Sequence, residues 1–147
     1  MRPVALDSSA VVAWVMREQG WRAIDTIFRR VPEVVLPGPA LTEVIDVSRR
    51  RGNRTSPRQL SDAIRAQGVR IEPNDLGDLV RAAELAELSR LHPGPADPRV
   101  GAMATLSLGD TLILAAVERL GAPVVSRDGY WLWLRQQGLI QAEVVGF

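Results

Sequence analysis

The chain has 147 residues, of which 46% are hydrophobic, and its net charge is +1. This length and composition predict one domain with a proper buried core. The absence of cysteine excludes disulfides, zinc thiolates and thiol catalysis. Residues 1–6 are too short for a signal peptide, and no apolar run approaches the ~18 residues of a membrane span, so we expect a soluble, cytoplasmic protein.

The first half of the chain alternates short apolar runs with amphipathic segments. The predicted elements are a strand over 3–6, helices over 10–17 and 21–30, a strand over 34–36, and a helix that begins near Pro39. Proline suits the first turn of a helix because its missing N–H has no partner there. We place Glu43 in the first turn of that helix.

The second half continues this alternation. The predicted elements are a short helix over 56–67, a strand over 69–72, a helix over 75–91, a loop over 92–105, a buried helix over 111–117, a strand over 123–126, a helix carrying Trp131 and Trp133, and a strand over 143–145. The loop is rich in proline and cannot be helical throughout. Because it leads into Asp110, we expect it to border the functional site.

Short apolar strands that are separated by helices favour a parallel sheet with both faces covered. We therefore predict a single α/β domain over residues 1–147, a three-layer α/β/α sandwich around a central, mainly parallel, twisted sheet. Active sites of open sheets of this kind lie beyond the carboxyl ends of the strands. Asp7 and Asp128 each follow a predicted strand and should lie at that edge.

The basic residues are all arginines, and they are unevenly placed. Between residues 48 and 71 there are seven arginines and one acid. This segment could offer a phosphate-binding surface, and its candidate RNA-phosphate contacts are Arg49, Arg50, Arg51 and Arg54. The alternative is that these arginines form a solvated helix end, where they face the carbonyl end of the helix dipole.

Four acids stand out: Asp7, Glu43, Asp110 and Asp128. Each has a structural explanation when taken singly, as a helix cap, a dipole partner in a first turn or a turn residue. Together they are expected to lie at one edge of the sheet, where like charges repel unless a cation compensates them. Carboxylates suit hard divalent cations, so the pattern predicts a magnesium or manganese site.

The sequence blocks around these acids are Val4–Ala10, Pro39–Val44, Leu106–Thr111 and Val124–Asp128. In this order and at these spacings they resemble the four signature blocks of PIN domains. Within that family the chain most resembles the VapC-like toxin ribonucleases of bacterial toxin–antitoxin pairs. The resemblance spans essentially the whole chain.

The resemblance implies a PIN-like fold in which Asp7, Glu43, Asp110 and Asp128 are the catalytic, metal-binding acids, with Ser8 and Ser126 as their polar neighbours. It further implies a Mg²⁺- or Mn²⁺-dependent endoribonuclease that acts on RNA, forms a homodimer and is inhibited by a cognate antitoxin protein. No histidine acid or base is required, which fits a chain whose one histidine precedes a proline in a loop.

Three other functions remain open at this point. The first is a PIN-like module that binds nucleic acid or a protein without cutting, and the second is a metal-dependent nuclease acting on DNA. The third is an aspartate-nucleophile phosphatase, because Asp7 follows an N-terminal strand. That chemistry needs a second acid two residues later and a lysine, whereas this chain has Ser9 and no lysine.

Overall fold

The computed structural model describes residues 2–95 and 103–147. Its strands are β1 (Val4–Leu6), β2 (Val34–Pro37), β3 (Arg70–Glu72), β4 (Val124–Val125) and β5 (Val144–Val145). Its helices are α1 (Ser8–Met16), α2 (Trp21–Arg30), α3 (Gly38–Arg50), α4 (Pro57–Arg65), α5 (Leu76–Leu91), α6 (Leu108–Leu120) and α7 (Gly129–Gln136). The predicted helices and strands are all present, with boundaries that differ by a few residues.

The five strands form one sheet in the order β3-β2-β1-β4-β5, and every neighbouring pair is parallel. Chain order therefore reverses beside β1, which lies between β2 and β4. The predicted α/β/α architecture is confirmed. In such a sheet the crevice at the carboxyl ends of the strands flanking the reversal is the place for a ligand, and here those strands are β1 and β4.

Burial follows the apolar pattern of the sequence. The central strands are closed to solvent, with Ala5, Leu6, Val35 and Leu36 each 0% exposed. The apolar run Ile113–Val117 makes α6 the most deeply buried helix segment of the described chain, because consecutive residues on all its sides are covered. Burial on both faces fixes the carboxyl ends of β1 and β4 in a rigid frame.

The position of Glu43 differs from the prediction. Helix α3 begins at Gly38, so Glu43 lies in its second turn, and the first turn carries no acid. The helix begins early because Pro37 ends β2 and Pro39 suits the first turn. Glu43 therefore lies beyond the amide groups at the start of the helix, and the explanation of this acid as a helix-dipole partner is wrong.

The predicted loop over 92–105 is described only at its two ends, and residues 96–102 lie outside the described part. At the near end, Gly94 N donates a hydrogen bond of 2.8 Å to the Ala104 carbonyl, which brings the two stems together. No helix among the described residues is long and apolar enough to cross a membrane.

Candidate metal centre

Asp7 is the most buried of the four acids. It follows β1 directly, caps α1 and is 2% exposed. Its Oδ1 accepts hydrogen bonds from Ser9 Oγ (2.6 Å) and Ala10 N (3.0 Å), and its Oδ2 accepts one from Ser126 Oγ (2.5 Å). Burial raises the pKa of Asp7 despite these three donors, and the negative charge of Asp128 raises it further.

Asp128 reaches the same edge of the sheet from the end of β4. Its Oδ1 caps α7 by accepting a hydrogen bond of 2.9 Å from Tyr130 N. Ser126 Oγ accepts a hydrogen bond of 3.0 Å from Asp128 N while donating to Asp7. One buried serine hydroxyl therefore ties the β4–α7 turn to the acid at the end of β1.

Glu43 approaches from α3. Its Oε2 accepts a hydrogen bond of 2.7 Å from Ser8 Oγ, the first residue of α1. Its Oε1 lies against the backbone of Gly109, where an added Cβ would overlap the carboxylate oxygen. Glycine at position 109 therefore leaves room for the Glu43 carboxylate in this position beside the start of α6.

Asp110 belongs to a capping box at the start of α6. Ser107 Oγ accepts a hydrogen bond from Asp110 N (3.1 Å), and Asp110 Oδ2 accepts one from Ser107 N (3.0 Å). Burial is the largest cause that raises the pKa of Asp110 to about 6, and the charges of Asp128 and Glu43 raise it as well. The pKa of Asp110 is therefore raised by the charges of two of the other acids, and the pKa of Asp7 by the charge of Asp128.

The four acids have no arginine partner within residues 2–95 and 103–147, where no ion pair involves any of them. Arg127 is adjacent in sequence, but its guanidinium donates to the Gln19 carbonyl and lies over the Phe147 ring. Uncompensated carboxylates of this kind are tolerated when protons or a cation neutralise them.

The donor set fits a hard divalent cation. One carboxylate oxygen of Glu43, Asp110 and Asp128 has no hydrogen bond within the described residues, and all donors are oxygens, which Mg²⁺ and Mn²⁺ prefer. The side chains do not form a closed ligand cluster, since no three Asp, Glu or His groups of residues 2–95 and 103–147 meet at metal-binding distances.

The structure distinguishes one of the four candidate phosphate-binding arginines from the other three. Arg49 Nη1 donates to the Thr55 carbonyl (2.7 Å), Arg50 pairs with Asp46 on α3 (3.0 Å), and Arg54 is exposed. Arg51 alone among these four lines a cavity that also contains Ser8 and Ser9. The sequence does not distinguish Arg51 from its neighbours, because the turn that ends α3 determines the directions of the side chains.

Two contributors to the site escaped the sequence analysis. Ser9 donates a hydrogen bond to Asp7. The sequence could have indicated this role, because Ser9 is the second of two serines that directly follow that acid. Gly109 permits the close approach of Glu43, and no local pattern could have indicated this, because the contact joins α3 to α6.

Comparisons with known proteins are consistent with this geometry. The PIN domain family matches residues 4–132, which is most of the chain, and the chain belongs to this family. Membership supports a nuclease. A comparison with curated proteins finds no match.

Three solved structures share the fold with a TM-score of 0.66 each. The structure of FitAB bound to an IR36 DNA fragment is 16% identical and covers 97% of this chain and 94% of its own. VapC20 of Mycobacterium tuberculosis, described as a sarcin–ricin loop cleaving toxin, is 15% identical over 88% and 93%. VapBC2 of Rickettsia felis, bound to a DNA fragment from its promoter, is 11% identical over 99% and 98%.

Proposed function

We propose that this protein is a divalent-metal-dependent endoribonuclease that acts as the toxin of a toxin–antitoxin pair. The observation that carries the proposal is the group of four acids from four separate segments, coupled through their charges at one edge of the sheet and unpaired with any arginine of the described chain. Such a set is costly to fold in its charged form unless a cation or protons compensate the repulsion.

The protein's own residues prepare this site for Mg²⁺ or Mn²⁺. Three donors fix the Asp7 carboxylate, and Ser8 orients Glu43. The helix caps fix Asp110 and Asp128, which each keep one oxygen without a hydrogen bond among the described residues. A bound cation would supply an activated water and would stabilise the charge developing on an RNA phosphodiester.

The similar structures support RNA as the substrate and an antitoxin as the partner, since one is a sarcin–ricin loop cleaving toxin and another is a VapBC pair. In this proposal a small cognate antitoxin covers the acids, and the toxin acts in the cytoplasm, where its RNA is found. Expression with and without an adjacent antitoxin gene tests the pairing, since an uninhibited toxin would arrest growth.

A homodimer is supported by the outer face of α5. Leu76, Leu79, Val80 and Leu91 are 77%, 51%, 57% and 77% exposed, although the opposite face of this helix packs in the core. Exposed apolar groups at helical spacing favour a protein contact. We expect light scattering to give a dimer mass for the parent protein and a monomer mass for a Leu76→Ser, Val80→Ser variant.

The proposed activity is tested by incubating total cellular RNA with purified, antitoxin-free protein and Mg²⁺ or Mn²⁺. We expect discrete fragments that vanish with chelator and with Asp7→Asn. Cleavage of DNA but not RNA would favour the DNA nuclease. Tight RNA binding without cleavage of either would favour a module that binds and does not cut, and in both cases the proposal would be abandoned.

A further inference from the structure

A second polar site adjoins the acids. A cavity of about 230 Å³ lies between α1, α3 and the β4–α7 turn, and its walls include Ser8, Ser9, Arg51 and Arg127. Ser8 and Ser9 are the same serines that donate to Glu43 and Asp7. The cavity and the acidic site therefore share these two serines and are adjacent.

We propose that this cavity binds a backbone phosphate of the RNA strand next to the phosphodiester that is cleaved, with Arg51 and Arg127 as its ligands. The inference rests on the proposed ribonuclease function. In this proposal the two neighbouring sites bind ligands of opposite charge: the acids bind a cation, and the arginines bind an anionic phosphate.

Arg127 lines the cavity and is held there by several contacts. Its backbone N–H donates to Ser9 Oγ (3.0 Å), and its guanidinium lies 4.5 Å from the centroid of the Phe147 ring while donating to the Gln19 carbonyl. The side chain depends on Gly20, because a Cβ there would stand 2.9 Å from both Arg127 Nη2 and Phe147. These contacts fix the orientation of the guanidinium.

The charge of Arg127 is not neutralised by these partners. A carbonyl oxygen and an aromatic face both orient a guanidinium without cancelling its charge, and the described residues place no carboxylate within ion-pair distance of it. A guanidinium has five N–H donors in a fixed fork, so donors remain after the one to Gln19. An oriented arginine of this kind is suited to bind phosphate.

Arg51 completes the site from the end of α3. Its Nη1 donates to Glu18 Oε1 at 2.5 Å, and the two side chains are 54% and 34% exposed. A solvent-exposed pair of this kind contributes only about 0.2–1 kcal/mol. A phosphate can therefore share Arg51 with Glu18 or replace it at low cost. The cavity holds two arginines and one glutamate, which leaves it a net positive charge.

The test compares Arg51→Gln and Arg127→Gln in steady-state cleavage of one RNA oligonucleotide, with thermal denaturation to establish folding. Each change should raise KM about five- to tenfold with kcat nearly unchanged, because a charged hydrogen bond to phosphate is lost. For each variant the slope of log KM against log salt concentration should fall by about 0.7, the value for one phosphate contact on a single strand.

The matched control is Arg30→Gln, which removes the same charge from the exposed end of α2. Its KM and salt slope should match those of the parent. Binding of the labelled oligonucleotide to Asp7→Asn protein, with and without each arginine change, gives the same comparison without turnover, and inorganic phosphate added as a competitor should be less effective against the arginine variants.

Parent-like KM and salt slope in both arginine variants, while the parent protein cuts RNA, would overturn the phosphate site and leave the ribonuclease intact. The phosphate site would also be overturned if the variants lose only the response to inorganic phosphate, since the cavity would then bind a free anion and not the strand. A parent protein that neither cuts nor binds RNA would instead remove the proposed function and, with it, this inference.

Discussion

Ser126 Oγ donates a hydrogen bond of 2.5 Å to Asp7 Oδ2, joining residues that are 119 positions apart in the chain. Both residues are buried, so bulk solvent does not reach Asp7 to replace this donor. We expect Ser126→Ala to lower the free energy of unfolding by about 1–3 kcal/mol, the usual cost of leaving a buried acceptor without its donor. Because that donor also lowers the pKa of Asp7, the variant should cut RNA more slowly.

Chemical denaturation and initial rates of RNA cleavage measure these two effects. Ser126→Thr is the matched control because it keeps the hydroxyl, and it should retain most of both properties. A Ser126→Ala protein as stable and as active as the parent would show that the bond between β4 and Asp7 is dispensable.

Gly109→Ala should separate activity from stability. The new Cβ would overlap Glu43 Oε1 and move that carboxylate, whereas alanine in a helix is favoured over glycine by about 1 kcal/mol. We expect cleavage to fall about a hundredfold, as is typical of small displacements in an active site, with little loss of unfolding free energy.

The control for this change is Gly129→Ala, which also lies in the first turn of a helix beside one of the acids but has open space around its Cβ. Equal cleavage rates for the two alanine variants would mean that Glu43 does not need its place against α6.

Metal-free protein should become less stable as the pH rises from about 4 to above 6. The pKa of Asp110 is raised from 3.8 to about 6 by burial and by its acidic neighbours, so the folded protein binds this proton more tightly than the unfolded chain does. Stability is then greatest below pH 4 with respect to this group and is lost as the pH passes 6. A shift of this size corresponds to roughly 3 kcal/mol.

Asp110→Asn keeps an oxygen that can accept from Ser107 N but removes the charge. Its unfolding free energy, measured with chelator across this pH range, should fall less steeply than that of the parent. Asp62→Asn controls for loss of one charge on the exposed surface of α4. Identical pH dependence in Asp110→Asn and the parent would contradict the assigned shift.

Tyr130 of α7 holds both ends of the loop between α5 and α6 in place through hydrogen bonds. Its Oη donates to the His92 carbonyl (2.7 Å) and is 3.0 Å from Ser89 Oγ, which accepts a hydrogen bond from Leu106 N (2.8 Å). We expect Tyr130→Phe to lower the free energy of unfolding by about 1 kcal/mol. Amide hydrogen exchange should become faster over residues 92–95 and 103–107, and unchanged exchange there would show that the hydroxyl does not fasten these segments.

The sequence was sufficient to place the strands and to put Asp7 and Asp128 beyond the carboxyl ends of β1 and β4. An apolar run precedes both Asp7 and Asp128, and Ser107 and Asp110 have the spacing of a capping box. These are local patterns that predict a strand end or a helix start. The start of α3 was predicted too late, because two prolines flank Gly38 and either could begin a helix. The contact of Glu43 with Gly109 could not be predicted, because it depends on how two distant helices pack.

Anomalous X-ray scattering from crystals grown with Mn²⁺ would locate the cation itself. We predict a peak at the carboxyl ends of β1 and β4, within coordination distance of Asp7 and at least two of Glu43, Asp110 and Asp128, and we predict its loss in Asp7→Asn crystals. A peak bound by other residues, or none at these acids in protein that cuts RNA, would contradict a metal centre formed by the four carboxylates.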